Sequence, residues 1–391
     1  MFYSDIINNP KNINQLHLPS NTTAEVHPIA SDGFPASQQT RMPPINRFNY
    51  LRIKPKTNIQ AQLFTPGNQI DFEVATPYTE KLLLEFNLSV ATAAVTANLE
   101  FCIDRLEIIS NGIILSTLRG INLWHAWLFK SYDQTVREVS VNNKSTSLVP
   151  QSIAVGNNYI FYVHLWSFVD YIQPKLNAIK SNLTFRVYFT DAGIIAGSAA
   201  NITVNSCDII AQTQQLSGML ESLETQRKLN RDIRYRFLNP IRACSETRAL
   251  LPSSEYSFRL NSTNGLTSFI VFHLTTIGGN PDAFAQLNSY EFLDENNTIV
   301  GIQMPRQLQV YCSESFVGYA SYLFPNCYVI PFGFVGMSLE GCECGFYKMT
   351  TKEQIKIYTD AAFVGGNYLF EAYTYEYNVL SLCNGSANIM K

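Results

Sequence analysis

The feature that most limits what this chain can fold into is an internal repeat. Ile70-Asp-Phe-Glu-Val and Tyr256-Ser-Phe-Arg-Leu place Phe72 186 residues before Phe258, and Leu84 stands 186 residues before Ile270. Leu106-Glu-Ile-Ile-Ser-Asn-Gly-Ile-Ile matches Tyr290-Glu-Phe-Leu-Asp-Glu-Asn-Asn-Thr-Ile-Val, with Glu107 184 residues before Glu291. Asn158-Tyr-Ile-Phe-Tyr-Val then matches Cys327-Tyr-Val-Ile-Pro-Phe, and Tyr188-Phe-Thr-Asp-Ala matches Ile357-Tyr-Thr-Asp-Ala. Tyr159 to Tyr328 and Asp191 to Asp360 are both spaced by 169. The matches fall in one order in both halves, so one shortening of the second copy accounts for the change in spacing. Two copies of a domain of about 170 residues are implied.

Each copy reads as strands. Ile70 to Val74 alternates apolar and polar, while Leu82–Leu88, Leu106–Ile109, Tyr159–Val163 and Leu183–Phe189 are β-branched or aromatic runs bounded by turn residues. Pro331 belongs near a sheet edge or strand end, where its missing N–H is not needed. Helical spacing is confined to about residues 121–133, 215–231 and 306–322. The fold class expected is all-β, two tandem eight-stranded sandwiches with a few inserted helices. Residues 1–57 form an extended arm, 58–214 the first sandwich, 215–240 a helical linker, 241–382 the second sandwich and 383–391 a tail.

Composition narrows the function classes. Only 15% of residues are charged, against 46% hydrophobic, with 25 Phe and 21 Tyr. That excludes a disordered chain, a coiled coil and long surface helices. A net charge of −3 gives no global positive field, so direct nucleic-acid binding is not expected. The N-terminus lacks a basic segment followed by an apolar core, and no run approaches 18 uninterrupted apolar residues, which reads as a soluble, non-spanning protein. Among eight cysteines only Cys342 and Cys344 lie close together, so free thiols are expected.

The chemistry-bearing motifs are weak. Gly336-Met-Ser-Leu-Glu-Gly is one residue too long for a nucleophile elbow and reads as a loop. Asp294-Glu-Asn-Asn-Thr lacks the central Gly and closing Glu of a calcium loop and reads as a hairpin turn. Cys342-Glu-Cys344 is at most half a zinc site. His125, between Trp124 and Trp127, and His164 and His273, in apolar runs, read as core or interface residues, and the cluster of Trp124, Trp127 and Phe129 as core or subunit contact. No catalytic residue, metal ligand or cofactor is assigned.

Charge is unevenly spread. Residues 41–56 hold Arg41, Arg47, Arg52, Lys54 and Lys56 without an acid. Residues 227–248 hold Arg227, Lys228, Arg231, Arg234, Arg236, Arg242 and Arg248 against Asp232 and Glu246. These segments are either a solvated or interface-paired face or an inward face that meets anionic lipid headgroups. The candidate membrane-facing residues are Arg41, Arg47, Arg52, Lys54, Lys56, Arg227, Lys228, Arg231, Arg234 and Arg236.

Ser289-Tyr-Glu-Phe-Leu-Asp-Glu-Asn-Asn-Thr-Ile-Val-Gly, Tyr328-Val-Ile-Pro-Phe-Gly-Phe and Gln354-Ile-Lys-Ile-Tyr, with their first-half counterparts, carry a resemblance across roughly residues 58–382. The chain resembles the double jelly-roll major capsid proteins of tailless, membrane-containing icosahedral bacteriophages and related large viruses, adenovirus hexon among them. The resemblance implies two jelly rolls side by side, and a homotrimer of six-fold-like outline that tiles a virion capsid over an internal membrane. Implied partners are neighbouring capsomers, penton or minor capsid proteins, and lipid headgroups, with assembly in the host cytoplasm. The alternative is a carbohydrate- or receptor-binding β-sandwich. A duplicated domain favours the capsid, because two similar units per chain let a trimer present a near-hexagonal edge.

Overall fold

The computed structural model describes residues 45–59, 63–74, 79–96, 99–125, 152–156, 158–165, 183–190, 201–216, 233–261, 265–277, 284–294, 298–305, 326–332, 346–383 and 386–390. The chain divides into two compact units, residues 1–49 with 214–227 and residues 50–213 with 228–391. Of the first unit only the strand residues 45–49 and 214–216 are described. The second holds both β-sandwiches in one body, so its division does not follow the expected arm, linker and domain boundaries.

The first sandwich is built from β1 (Ile45–Ile53), β2 (Gln69–Val74), β3 (Thr79–Val90), β4 (Ile103–Ser110), β5 (Ile113–Leu118), β6 (Asn158–His164), β7 (Leu183–Phe189) and β8 (Ile202–Leu216). One sheet runs β1-β8-β3-β6 and the other β2-β7-β4-β5. The second sandwich has β9 (Ile233–Leu250), β10 (Glu255–Arg259), β11 (Leu266–Thr276), β12 (Ser289–Leu293), β13 (Thr298–Pro305), β14 (Tyr328–Pro331), β15 (Gln354–Tyr358) and β16 (Gly366–Cys383). Its sheets run β9-β16-β11-β14 and β10-β15-β12-β13. Each strand of one copy thus corresponds to the strand eight places later, and the two sheet orders are identical. A final strand, β17 (Ser386–Met390), pairs with β16.

Alternation builds each core. In β7 every second residue, from Leu183 to Phe189, is buried, and Phe64, Phe86 and Phe189 meet across the two sheets at centroid distances of 5.5 to 6.1 Å. In the second sandwich Phe258 of β10 stacks on Phe370 of β16 at 4.0 Å, and Phe272 of β11 meets Tyr290 of β12 edge-on at 5.0 Å. These rings bridge facing sheets, as a sandwich core requires. The β4–β5 turn is Asn111-Gly112, both at positive φ (50° and 79°), a conformation that Asn and Gly accept and that matches strand twist.

Three expectations change. The arm does not run to residue 57, because β1 begins at Ile45 and joins the first sheet. The segment 215–240 contains the start of β9 at Ile233, and β8 runs to Leu216; residues 217–232 lie outside the described set. The tail is not separate, since β17 adds a strand. Of the expected helices, α1 (Gly120–His125) is described, while the remainder of 121–133 and all of 306–322 lie outside. Pro331 ends β14, the last strand of its sheet order, and its missing donor interrupts no ladder.

Candidate functional site

The two sandwiches share a junction made by long strands. β9 and β16, 18 residues each, pair along nearly their whole length. Their far ends pass the second core: Phe237 and Leu380, with Ala387 of β17, pack in the core of the first sandwich. In return α1 of the first sandwich docks on the outer face of the second sandwich's β9-β16-β11-β14 sheet. Trp124 meets Phe284 edge-on at 5.2 Å, and His125 Nδ1 lies 2.9 Å from the Tyr375 hydroxyl. Ser116 of β5 hydrogen-bonds Asn239 of β9 at 3.1 Å.

That junction buries titratable groups. His125 and His273 are 0% and 1% exposed, with ring centroids 5.9 Å apart. Burial, and then the neighbouring His273, hold the His125 pKa well below its usual value, and burial takes His273 down to about 3. Both imidazoles are therefore neutral. Burial likewise raises the Tyr375 and Tyr373 phenols well out of the working range. Sealed, neutral groups of this kind hold two bodies together; they present no proton acceptor to a substrate.

The basic residues separate into two sets. Arg52, in β1, reaches across β8 to Glu85 of β3 and bonds Asp208 of β8 at 2.9 Å; Lys54 bonds Asp208 at 2.7 Å. Glu85 and Asp208 are direct ladder partners, 4% and 1% exposed. Two carboxylates face to face under cover repel one another, and the two cations offset them. Their bonds, from Glu85 first and then Asp208, raise the Arg52 pKa. Lys56 pairs with Glu73 of β2. Arg234 is exposed on β9 and makes a contact of its own. Arg41, Arg227, Lys228 and Arg231 lie outside the described residues, and so do the side chains of Arg47 and Arg236.

Sequence reading did not find Glu85, Asp208, Phe284 or Tyr375. The only available signal was an acid in an otherwise apolar run, as in Leu84-Glu-Phe and Cys207-Asp-Ile. Of the weak motifs, Asp294 sits at the β12–β13 hairpin, where Leu293 pairs with Thr298. Residues 336–344, Trp127 and Phe129 lie outside the described set. Among the described residues no group of three or more His, Cys, Asp or Glu is placed to hold a metal ion.

A cleft of about 580 Å³ opens at the junction. One wall is β5, contributing Ile113 to Thr117; the other is formed by Asn239 to Arg242 of β9 with Asn388 and Ile389 of β17.

No protein-family model matches the chain, and no curated protein sequence matches it. Among solved structures, the PBCV-1 virus capsid protein aligns at a TM-score of 0.64 and 11% identity, covering 88% of this chain and 97% of that one. The Faustovirus major capsid protein aligns at 0.59 and 7% identity, covering 96% and 94%. The mavirus major capsid protein aligns at 0.56 and 11%, covering 87% and 90%. The likeness spans both sandwiches at identities that speak for fold alone: the chain has the double jelly-roll fold of viral major capsid proteins.

Proposed function

We propose that the chain is the major capsid protein of an icosahedral virion, a structural component without catalytic activity. The observation that carries this is the duplicated sandwich, with identical sheet orders, fused by β9, β16 and α1 into one body whose fold is that of viral capsid subunits. Function enters through that body's edges: six similar sandwiches close a near-hexagonal ring when three chains associate. The docking of the first sandwich's α1 on the second sandwich's sheet supplies the pattern, and its repetition from chain to chain gives a trimer. Neighbouring capsomers then meet through the outer loops, with penton or minor proteins at special positions, and assembly takes place in the host cytoplasm.

The membrane-facing role belongs to the basic residues that are not engaged in the Glu85–Asp208 and Glu73 pairs: Arg41, Arg47, Arg227, Lys228, Arg231, Arg234 and Arg236. An anionic membrane attracts each by about 1 kcal/mol, screened within about a Debye length. Sedimentation and negative-stain microscopy of the purified chain test the reading. Trimers of hexagonal outline are expected; a lone monomer at micromolar concentration overturns it. A carbohydrate-binding sandwich has no structural observation in its favour.

A further inference from the structure

β5 is the last strand of its sheet order and pairs only with β4 among the described residues. Five consecutive residues, Ile113 to Thr117, line the junction cleft. Successive side chains alternate between faces, so a cleft bordered by a consecutive run meets the strand's edge, with its row of unpaired N–H and C=O groups. Ile113 and Ile114 beside it are 49% and 51% exposed. No Lys or Pro protects that edge, which leaves it a template for another strand. Across the cleft, Asn239 and Asn388 offer amides and Ile389 an apolar side chain, while Arg242 is loosely paired with Glu371 at 3.5 Å. Amides and aliphatics with offset charge suit a neutral extended peptide rather than an anion.

We infer that the open edge of β5 is a strand-addition site for the N-terminal arm, residues 1–44, of a second copy of this chain, an inference that rests on the capsid reading. The arm's sequence fits. Pro10, Pro19, Pro28 and Pro35 divide it into short stretches, such as Lys11-Asn-Ile-Asn-Gln-Leu-His-Leu18, too short to build a sheet alone but long enough to add one strand to an existing edge. Its few charges, Asp5, Lys11, Glu25, Asp32 and Arg41, nearly cancel. At about 3.3 Å per residue, 44 residues reach roughly 145 Å, enough to leave one capsomer and enter another.

The test uses the full chain carrying the photo-crosslinking amino acid p-benzoylphenylalanine in place of Ile114, an exposed position that tolerates it. Mixed heavy-isotope and ordinary chains are assembled, irradiated and read by peptide mass spectrometry, with microscopy of the same sample. Cross-links from position 114 to residues 1–44 of the other isotope class are expected. Cross-links within one chain, or particles whose cross-links miss residues 1–44, overturn the arm docking and leave the capsid reading standing. A sample with neither trimers nor particles overturns both. As a second measure, Ile113→Asp with Ile114→Asp should leave trimers intact and lower particle yield at least tenfold; unchanged yield overturns the docking.

Discussion

Arg186 and Lys356 occupy the same ladder position in the two sandwiches. Arg186 of β7 stands between Asp71 of β2 and Glu107 of β4, and Lys356 of β15 stands between Ser257 of β10 and Glu291 of β12. The row is duplicated but the pairing is not. Arg186 makes a two-pronged bond to Asp71, 2.9 Å in each prong, whereas Lys356 reaches Glu255, two residues along the same face, at 3.1 Å. A double-mutant cycle with Asp71→Asn and Arg186→Met should give a coupling of about 1 kcal/mol, because the fork is planar and partly covered. The cycle with Glu255→Gln and Lys356→Met should give under about 0.5 kcal/mol, since Glu255 is exposed. Equal couplings in urea unfolding would contradict the geometry.

Arg52 holds two buried carboxylates apart. Removing it leaves Glu85 and Asp208 facing each other with Lys54 alone to offset them, and unfolding measurements on Arg52→Ala should show a loss of about 2 kcal/mol. Adding Asp208→Asn removes the repulsion and should recover most of that loss. If the double variant is less stable than Arg52→Ala, the carboxylates are not in conflict.

This cluster also marks where sequence reading ends. Strands are legible because a two-residue period survives in the letters: Phe72 and Phe258 are both buried, and Glu107 and Glu291 are equivalent in the ladders as well as in spacing. Tyr159 and Tyr328 lie on equivalent strands, β6 and β14. The ladders nevertheless pair Leu84 with Val163 and Ile270 with Ile330, a spacing of 167 rather than 169. A two-residue slip keeps every side chain on its face and leaves no trace in the pattern. The Thr-Asp-Ala match is one residue out: Phe72 pairs with Phe185 and Phe258 with Ile355, so Tyr188 corresponds to Tyr358, not to Ile357. Asp191 itself lies outside the described residues. Partners far apart in sequence leave still less. Arg52 stands in a segment without acids, and its two acids arrive from strands 33 and 156 residues away.

The buried histidines predict acid sensitivity. Facing His125 are the Tyr375 hydroxyl, the Tyr373 ring and His273; facing His273 are Phe284, Tyr373 and Glu371, whose carboxylate lies 3.9 Å from Nε2 and is engaged by Arg242 and the Tyr373 hydroxyl. Unfolded histidine titrates near 6.5, and both folded values are depressed, so the folded state holds fewer protons below that pH. Stability is complete above about pH 6.5 and falls, as pH drops toward 3, by up to about 1.4 kcal/mol per pH unit for each histidine. His273→Phe should lower the slope of unfolding free energy between pH 6 and 4 by about that amount per unit. An unchanged slope would mean that His273 titrates normally.

Gly120 predicts that the junction depends on one missing methyl group. It opens α1, and a Cβ there would lie 2.0 Å from the Glu100 carbonyl oxygen and 2.5 Å from that of Ile103. Both obstacles are backbone, so relief requires α1 to move, and α1 carries Trp124 and His125 onto Phe284 and Tyr375 of the second sandwich. Gly120→Ala should cost about 3 kcal/mol or more and weaken trimer formation through the displaced helix. Gly112→Ala is the control: its φ of 79° strains any other residue, but nothing lies within 4 Å of the added Cβ. It should cost about 1 kcal/mol and leave the trimer unchanged. Thermal unfolding and sedimentation of the two variants side by side decide the matter: similar losses with intact trimers in both would show that α1 tolerates displacement and that the junction does not depend on its seating.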